Sequence, residues 1–182
     1  MSRLTRIFIP LFFAVVIIQG IHVFEHIVQL AQVYLFGVSD DDAFGLLGYV
    51  FKPQNTEEWL HLGFNGSYLA ALYLLLIPLL ALARAGAVPW RAFAVYAIAG
   101  VGLESWHVVE HAVIISNVVQ NNGCPCPGIG DRVLGVTDTQ LHFVYNAIAY
   151  AATVVGFWFA LNATSGKATD ASQRDTPALA HA

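Results

Sequence analysis

Charged residues are scarce in this chain of 182 residues. Only 11% of the residues are charged and 57% are hydrophobic, whereas about a quarter of the residues in an ordinary soluble domain are charged. The chain is therefore too apolar for a soluble domain of this length. It also lacks a basic stripe, which argues against nucleic acid as a partner. We expect an integral membrane protein whose main surroundings are the lipid bilayer.

Cysteine is rare as well, and both copies lie in one Cys124-Pro-Cys126 sequence. In an oxidising compartment such a pair is a local disulfide, a pair of soft metal ligands or a link to another chain. The sequence leaves these alternatives open.

Four apolar stretches reach the ~20 residues that a helix needs to cross a bilayer. They cover residues 7–36, 59–83, 91–119 and 139–162. The first runs well past the ~15 residues of a signal-peptide core and is followed by no small-residue cleavage site, so we expect it to remain as a helix. The sequence predicts an all-α protein, an integral membrane four-helix bundle.

Basic residues indicate the orientation of these helices. Arg3 and Arg6 precede the first span, Arg84 and Arg91 bracket the turn between the second and third, and Lys167 follows the fourth. Because basic residues concentrate on the cytoplasmic side, we expect both termini in the cytoplasm and a multi-pass protein of the cell membrane.

Two polar patterns occur twice inside the apolar stretches. His-x-x-Glu-His is found as His22, Glu25 and His26, and again as His107, Glu110 and His111. His-x-x-x-Asn follows each copy, as His61 and Asn65 and as His142 and Asn146. The patterns recur after about 80 to 85 residues, which indicates an internal repeat.

The repeat predicts two parallel, duplicated two-helix units related by a pseudo-two-fold axis along the membrane normal. Residues 1–86 form the first unit, residues 87–162 the second, and residues 163–182 a disordered cytoplasmic tail. Thr56 and Thr137 are placed to cap the second helix of each unit. We expect the glycine-rich loops of both units to fold over the outer end of the bundle.

Helical spacing brings the polar side chains together, because positions i, i+3 and i+4 share one face. An ionised group facing lipid costs ~2.5 to 3.5 kcal/mol, so these side chains must face the interior. Their depth places them in the outer half of the membrane, where three histidines and a glutamate per unit suit a transition metal. We predict a dinuclear site, with copper or iron favoured and zinc as an alternative. The predicted ligands are His22, Glu25, His26, His61, His107, Glu110, His111 and His142.

Further polar residues are expected to support these ligands. Gln19 and Glu104 lie three residues before the two motifs, and Asn65 and Asn146 follow the later histidines; such groups orient metal-bound imidazoles or a water. Glu104 breaks the symmetry by adding one negative charge.

The five-residue motif resembles the signature of inverted-motif zinc peptidases, in which two histidines bind zinc and the glutamate activates water. This resemblance implies that Glu25 or Glu110 acts as a catalytic base. As an alternative, either or both glutamates bridge the two ions, as in soluble di-metal carboxylate bundles. Histidine-rich membrane hydroxylases and desaturases offer a looser resemblance, although their His-x-x-His-His boxes are absent here.

Several functions are compatible with such a site. We favour an oxidoreductase of the oxygen-activating hydroxylase or oxidase type, which takes its electrons from a redox partner or another membrane subunit. The alternatives are a zinc-dependent membrane hydrolase, a b-type haem electron-transfer protein and a metal-binding accessory subunit. A purely structural alternative is that the polar side chains only hydrogen-bond one helix to another.

Overall fold

The computed structural model describes residues 3–51, 56–121 and 128–174, and these ranges are all-helical, with no strand. The helices are α1 (Arg3–Tyr34), α2 (Gly45–Phe51), α3 (Thr56–Arg84), α4 (Trp90–Val95), α5 (Leu103–Gln120), α6 (Ile129–Leu134) and α7 (Asp138–Arg174). A 3-10 turn, Asp40–Asp42, precedes α2, and a π-helical segment, Tyr96–Gly102, joins α4 to α5. Cys124 and Cys126 lie outside the described residues, so the alternatives for that pair stay predictions.

Four helical segments are long and apolar enough to cross a membrane, which confirms the number and placement of the predicted spans by length and composition. They are Ile7–Tyr34, Trp59–Arg84, Trp90–Gln120 and Asp138–Ser165. The third combines α4, the π-helical segment and α5. The helix α7 continues to Arg174, into the segment predicted to be a tail.

The four long segments pack as a bundle. Helix α1 packs mainly against α7, and α3 packs mainly against α5, while the π-helical segment also contacts α7. We refer to α1 to α3 as the first half of the molecule and to α4 to α7 as the second half. Insertion of the bundle in a bilayer and duplication of its halves stay predictions.

The interior of the bundle has an apolar end and a polar end. The apolar end contains Phe12 of α1, Leu72 and Leu79 of α3, Tyr96 of the π-helical segment and Ala160 of α7, all fully buried. Polar side chains occupy the other end, towards the C-terminus of α1 and the N-terminus of α3. The surface carries many exposed large apolar side chains, which suits contact with lipid.

Two short helices cover the polar end, and we call α2 and α6 the cap helices. Helix α2 packs against α1 and α3, whereas α6 packs against α5 and α7. The described parts of both loops therefore lie over one end of the bundle, as the sequence predicted. The N-terminus of α7 is capped by the side chain of Thr137, as predicted. Thr137 Oγ1 accepts a hydrogen bond from the Gln140 amide, and Gln140 Oε1 accepts one from the Thr137 amide. The side chain of Thr56 lies outside the described residues.

Candidate metal centre

Six of the seven histidines meet at the polar end of the bundle and form what we call the histidine cluster. Its members are His22, His26, His61, His107, His111 and His142. All are buried except His61, which is partly exposed. Ring contacts join the two halves, since His61 stacks on His111 with centroids 5.6 Å apart and His26 stacks on His142 at 6.4 Å.

The tightest group in the cluster belongs to the second half. Ligand atoms of His107, His111 and His142 all lie within 4.8 Å of one another, and the three side chains are buried. Their ring centroids are 4.5 to 5.1 Å apart. Three imidazoles in such an arrangement can hold a transition-metal ion.

The first half contains a looser group of three histidines. The ring centroids of His22 and His26 are 4.7 Å apart, and that of His61 lies 5.9 and 5.7 Å from them. The Nε2 atoms of His22 and His26 are 3.3 Å apart. Two nitrogens bound to one tetrahedral ion at 2.0–2.1 Å are separated by about 3.3 Å. This pair is therefore spaced like two ligands of one ion, although one ring can also donate a hydrogen bond to the other.

Polar side chains hold the Nδ1 atoms of three histidines. His26 Nδ1 is 2.6 Å from Gln29 Oε1, His107 Nδ1 is 3.4 Å from Glu104 Oε2, and His142 Nδ1 is 3.0 Å from Asp138 Oδ1. Metal-bound imidazoles usually donate their second N–H to such a partner, which fixes the tautomer and the ring orientation. In each of the three histidines, Nε2 is then the atom presented to an ion.

Sequence reasoning found Glu104 but missed Gln29 and Asp138. A signal was present for both, because Gln29 follows His26 by three residues and Asp138 precedes His142 by four, so each pair shares a helix face. Phe64 and Tyr145 were also missed: the ring of Phe64 stacks on His22 at 4.2 Å, and the ring of Tyr145 lies 5.3 Å from His107.

The glutamate of each motif contacts a cap helix. Glu25 Oε1 accepts a hydrogen bond from the Leu47 amide of α2 at 2.5 Å, and Glu110 Oε1 accepts one from the Gly130 amide of α6 at 2.7 Å. A carboxylate is stabilised beside the amides that begin a helix. Among the described residues, Glu110 Oε2 is buried without a hydrogen-bond partner. The roles predicted for both glutamates, as ligands or bases, stay predictions.

A glycine lies against each of these carboxylates. At Gly45, which begins α2 with φ 67°, an added Cβ atom would collide with Glu25 Oε1, and at Gly128, just before α6, it would collide with Glu110 Oε1. Only glycine lets the backbone approach the carboxylate so closely.

The supporting polar residues differ between the two halves. Gln19 Nε2 donates a hydrogen bond of 2.7 Å to Asn146 Oδ1, which ties α1 to α7, and both side chains are fully buried. Glu104 is the counterpart of Gln19 and is fully buried too, but its Oε1 has no hydrogen-bond partner within the described residues. Asn65, the counterpart of Asn146, is also fully buried.

A small cavity reaches the cluster from the first half, between α1, α2 and α3. Its polar lining consists of His22, Glu25 and His61, and its apolar lining of Leu47, Gly48, Leu60 and Phe64. The structure thus offers two groups of imidazoles in contact, one of them beside a cavity.

Comparison of the chain with protein-family models, with curated proteins and with solved structures finds no match.

Proposed function

We propose that this protein is a membrane-embedded metalloprotein in which the histidine cluster binds two transition-metal ions, and that it is an oxidoreductase that activates dioxygen. Three buried imidazoles carry this proposal most directly, since ligand atoms of His107, His111 and His142 lie within 4.8 Å of one another. In addition, Nε2 of His107 has no hydrogen-bond partner among the described residues, although the side chain is fully buried. Leaving a buried polar atom unpaired is costly, and an ion at this position would remove that cost.

A second ion is supported by the matching geometry of the two halves. The motif histidines have ring centroids 4.7 Å apart in both copies, and each pair has a third imidazole nearby on the following long helix. We interpret the halves as duplicated units that each hold one ion. Because the rings of the two halves are stacked on one another, the two ions would be close neighbours.

The donor atoms favour copper or iron. Imidazole nitrogen suits copper, iron and zinc, whereas magnesium and calcium prefer oxygen. One oxygen of Glu25 and one of Glu110 already accept hydrogen bonds from the cap helices, so nitrogen dominates the donor set, and this favours copper. Bound copper or iron supplies the one-electron steps that dioxygen chemistry requires.

The residues of the chain would bind, orient and shield this centre. Gln29, Glu104 and Asp138 hold the imidazoles through their Nδ1 atoms, and the cap helices cover the polar end of the bundle. We place the centre towards the outer face of the cell membrane, with both termini in the cytoplasm. A redox partner or another membrane subunit would deliver electrons.

A zinc hydrolase is the second candidate, and the position of Glu110 favours it. The carboxylate is fully buried in the second His-x-x-Glu-His motif, and Oε2 has no hydrogen-bond partner within the described residues. Such an oxygen can accept a proton, as a general base does. Haem fits less well, because it takes only two axial ligands and would leave Glu25 and Glu110 as buried carboxylates without a role.

Elemental analysis and an absorption spectrum of the purified protein in detergent test the proposal together. We expect about two copper or iron ions per chain and no Soret band. Two zinc ions in a colourless protein would overturn the redox proposal in favour of the hydrolase, and a Soret band would establish haem. A protein that retains no metal under any loading condition would contradict the whole proposal.

A further inference from the structure

The cavity of the first half touches the histidine cluster on one side and the α2 cap helix on the other. His22, Glu25 and His61 contribute polar groups, and the remaining wall is built from Leu47, Gly48, Leu60 and Phe64. His22 is held by the ring of Phe64, which stacks on it at 4.2 Å with an interplanar angle of 20°. A molecule in this cavity would therefore meet two imidazoles of the first half.

The size of the cavity limits what it can hold. Its volume is about 30 Å³, and one water-sized sphere occupies about 10–15 Å³ on the same measure. The cavity thus has room for about two to three non-hydrogen atoms. A diatomic or triatomic molecule fits inside, whereas a lipid chain or an aromatic ring would extend beyond the cavity.

The chemistry of the wall limits the charge of that molecule. Most of the lining surface is aliphatic or aromatic and offers few hydrogen-bond donors to replace the hydration shell of an anion. The nearby carboxyl group of Glu25 accepts a hydrogen bond from the Leu47 amide, and such an acceptor does not favour an anion. An uncharged molecule is the ligand that this lining suits best.

The described side chains of the second half pack more closely at the corresponding position. Leu141 and Tyr145 are the counterparts of Leu60 and Phe64, and both are buried. They pack so closely on Gly130 of α6 that an added Cβ atom there would lie 2.6 Å from Leu141 Cδ2 and 2.9 Å from the Tyr145 hydroxyl oxygen. The histidine that follows the motif in each half differs in exposure as well: His61 is partly exposed, whereas His142 is buried.

We propose that the two halves have different tasks: a small uncharged molecule binds beside His22 and His61 in the cavity of the first half, while the second half holds its ion out of reach of external ligands. This inference rests on the proposed metal centre. It assigns the open coordination position to the ion of the first half. Leu47, Leu60 and Phe64 then select the ligand by size.

Carbon monoxide is a suitable probe, because it is uncharged and diatomic and binds Cu(I) held by imidazoles. The full chain in detergent is loaded with Cu(I), its copper content is measured, and carbon monoxide is titrated while the C–O stretch is followed by infrared absorption. Leu60→Phe and Leu47→Phe fill the cavity from two sides. Leu46→Phe is the matched control, because Leu46 lies on the same cap helix but is 57% exposed and does not line the cavity.

We expect the wild type and Leu46→Phe to bind one carbon monoxide per chain with equal affinity. Both cavity-filling variants should keep their copper and lose at least tenfold in carbon monoxide affinity. Leu47 is itself 38% exposed, so this position can accept a larger side chain without unfolding the protein. Phe64→Leu should enlarge the cavity and admit the bulkier tert-butyl isocyanide, which the wild type excludes.

The two histidines that differ in exposure provide a second set of variants for the carbon monoxide experiment. His61→Ala should abolish carbon monoxide binding, whereas His142→Ala should retain it. Equal carbon monoxide affinity in the wild type and both filled variants, with copper retained, would overturn this inference and leave the metal centre standing. Failure of the wild type to take up copper or any other metal would overturn both.

Discussion

The backbone amide of Gly130 donates a hydrogen bond of 2.7 Å to Oε1 of Glu110 and so fastens the cap helix α6 to the middle of the second His-x-x-Glu-His motif. The same relationship holds in the first half, where the Leu47 amide of α2 donates to Glu25. Each glutamate thus joins a cap helix to the histidines on either side of it in the motif.

Replacing Glu110 by alanine should release α6. The Gly130 amide would lose its acceptor in a buried position, which costs about 1 to 3 kcal/mol in the free energy of unfolding. We expect a lower midpoint of thermal unfolding in detergent and faster hydrogen exchange at the Gly130 amide. Glu110→Gln is the control, because its Oε1 still accepts the hydrogen bond and should preserve most of the protection. Wild-type exchange at Gly130 in Glu110→Ala would show that this hydrogen bond does not hold the cap helix.

Gly130→Ala should destabilise the protein through overpacking. The new methyl group would lie 2.6 Å from Leu141 Cδ2, and overpacked cores lose about 1 to 3 kcal/mol. Gly130→Ala combined with Leu141→Val should recover part of this loss, as unfolding of the single and double variants can show.

Gly66→Ala provides the matched control for this substitution. An added Cβ atom at Gly66 meets nothing within 4 Å, and alanine is favoured over glycine inside a helix by about 0.5–1 kcal/mol. It should leave stability unchanged or raise it. Equal effects of the two substitutions would contradict the close packing of α6 on α7.

Glu104→Gln should raise the stability of the metal-free protein and lower its affinity for metal. Glu104 Oε1 is buried without a hydrogen-bond partner among the described residues, and a neutral amide is less costly to bury than a carboxylate. We expect the metal-free variant to gain about 1 kcal/mol in the free energy of unfolding. Its metal affinity should fall about tenfold, because the carboxylate beside Nδ1 of His107 is lost.

Calorimetry of the metal-free protein and metal titration check these two effects separately. Gln19→Glu is the reciprocal variant and should lose stability, because its side chain no longer donates to Asn146. If Glu104→Gln binds metal as tightly as the wild type, Glu104 does not tune the imidazole of His107.

The long helices could be predicted from the sequence because a bilayer span needs an uninterrupted apolar run of a fixed length. The predicted stretch 59–83 and the observed Trp59–Arg84 differ by one residue, and 91–119 and Trp90–Gln120 by one at each end. Helical spacing also predicted that the motif histidines would share a face. His107 and His111 accordingly lie side by side in the structure.

The cap helices could not be predicted in the same way. Helix α2 has only seven residues, and its glycines indicate a loop when they are read without the partner that they contact. The roles of Gly45 and Gly130 depend on carboxylates and side chains distant in sequence, which no local pattern reveals. The difference between the halves likewise arises from the packing of Leu141 and Tyr145 and not from the motifs, which are the same in both.

Metal stoichiometry in matched histidine and asparagine variants tests the central claim most directly. Wild type, His26→Ala, His111→Ala, Asn65→Ala and Asn146→Ala are purified in parallel and analysed for copper, iron and zinc. His181→Ala serves as a control because that histidine lies outside the motifs. We predict about two ions per chain in the wild type and in His181→Ala, a loss of about one ion in each motif-histidine variant, and smaller losses in the asparagine variants. Equal metal content in all six proteins would show that the histidine cluster does not bind the ions.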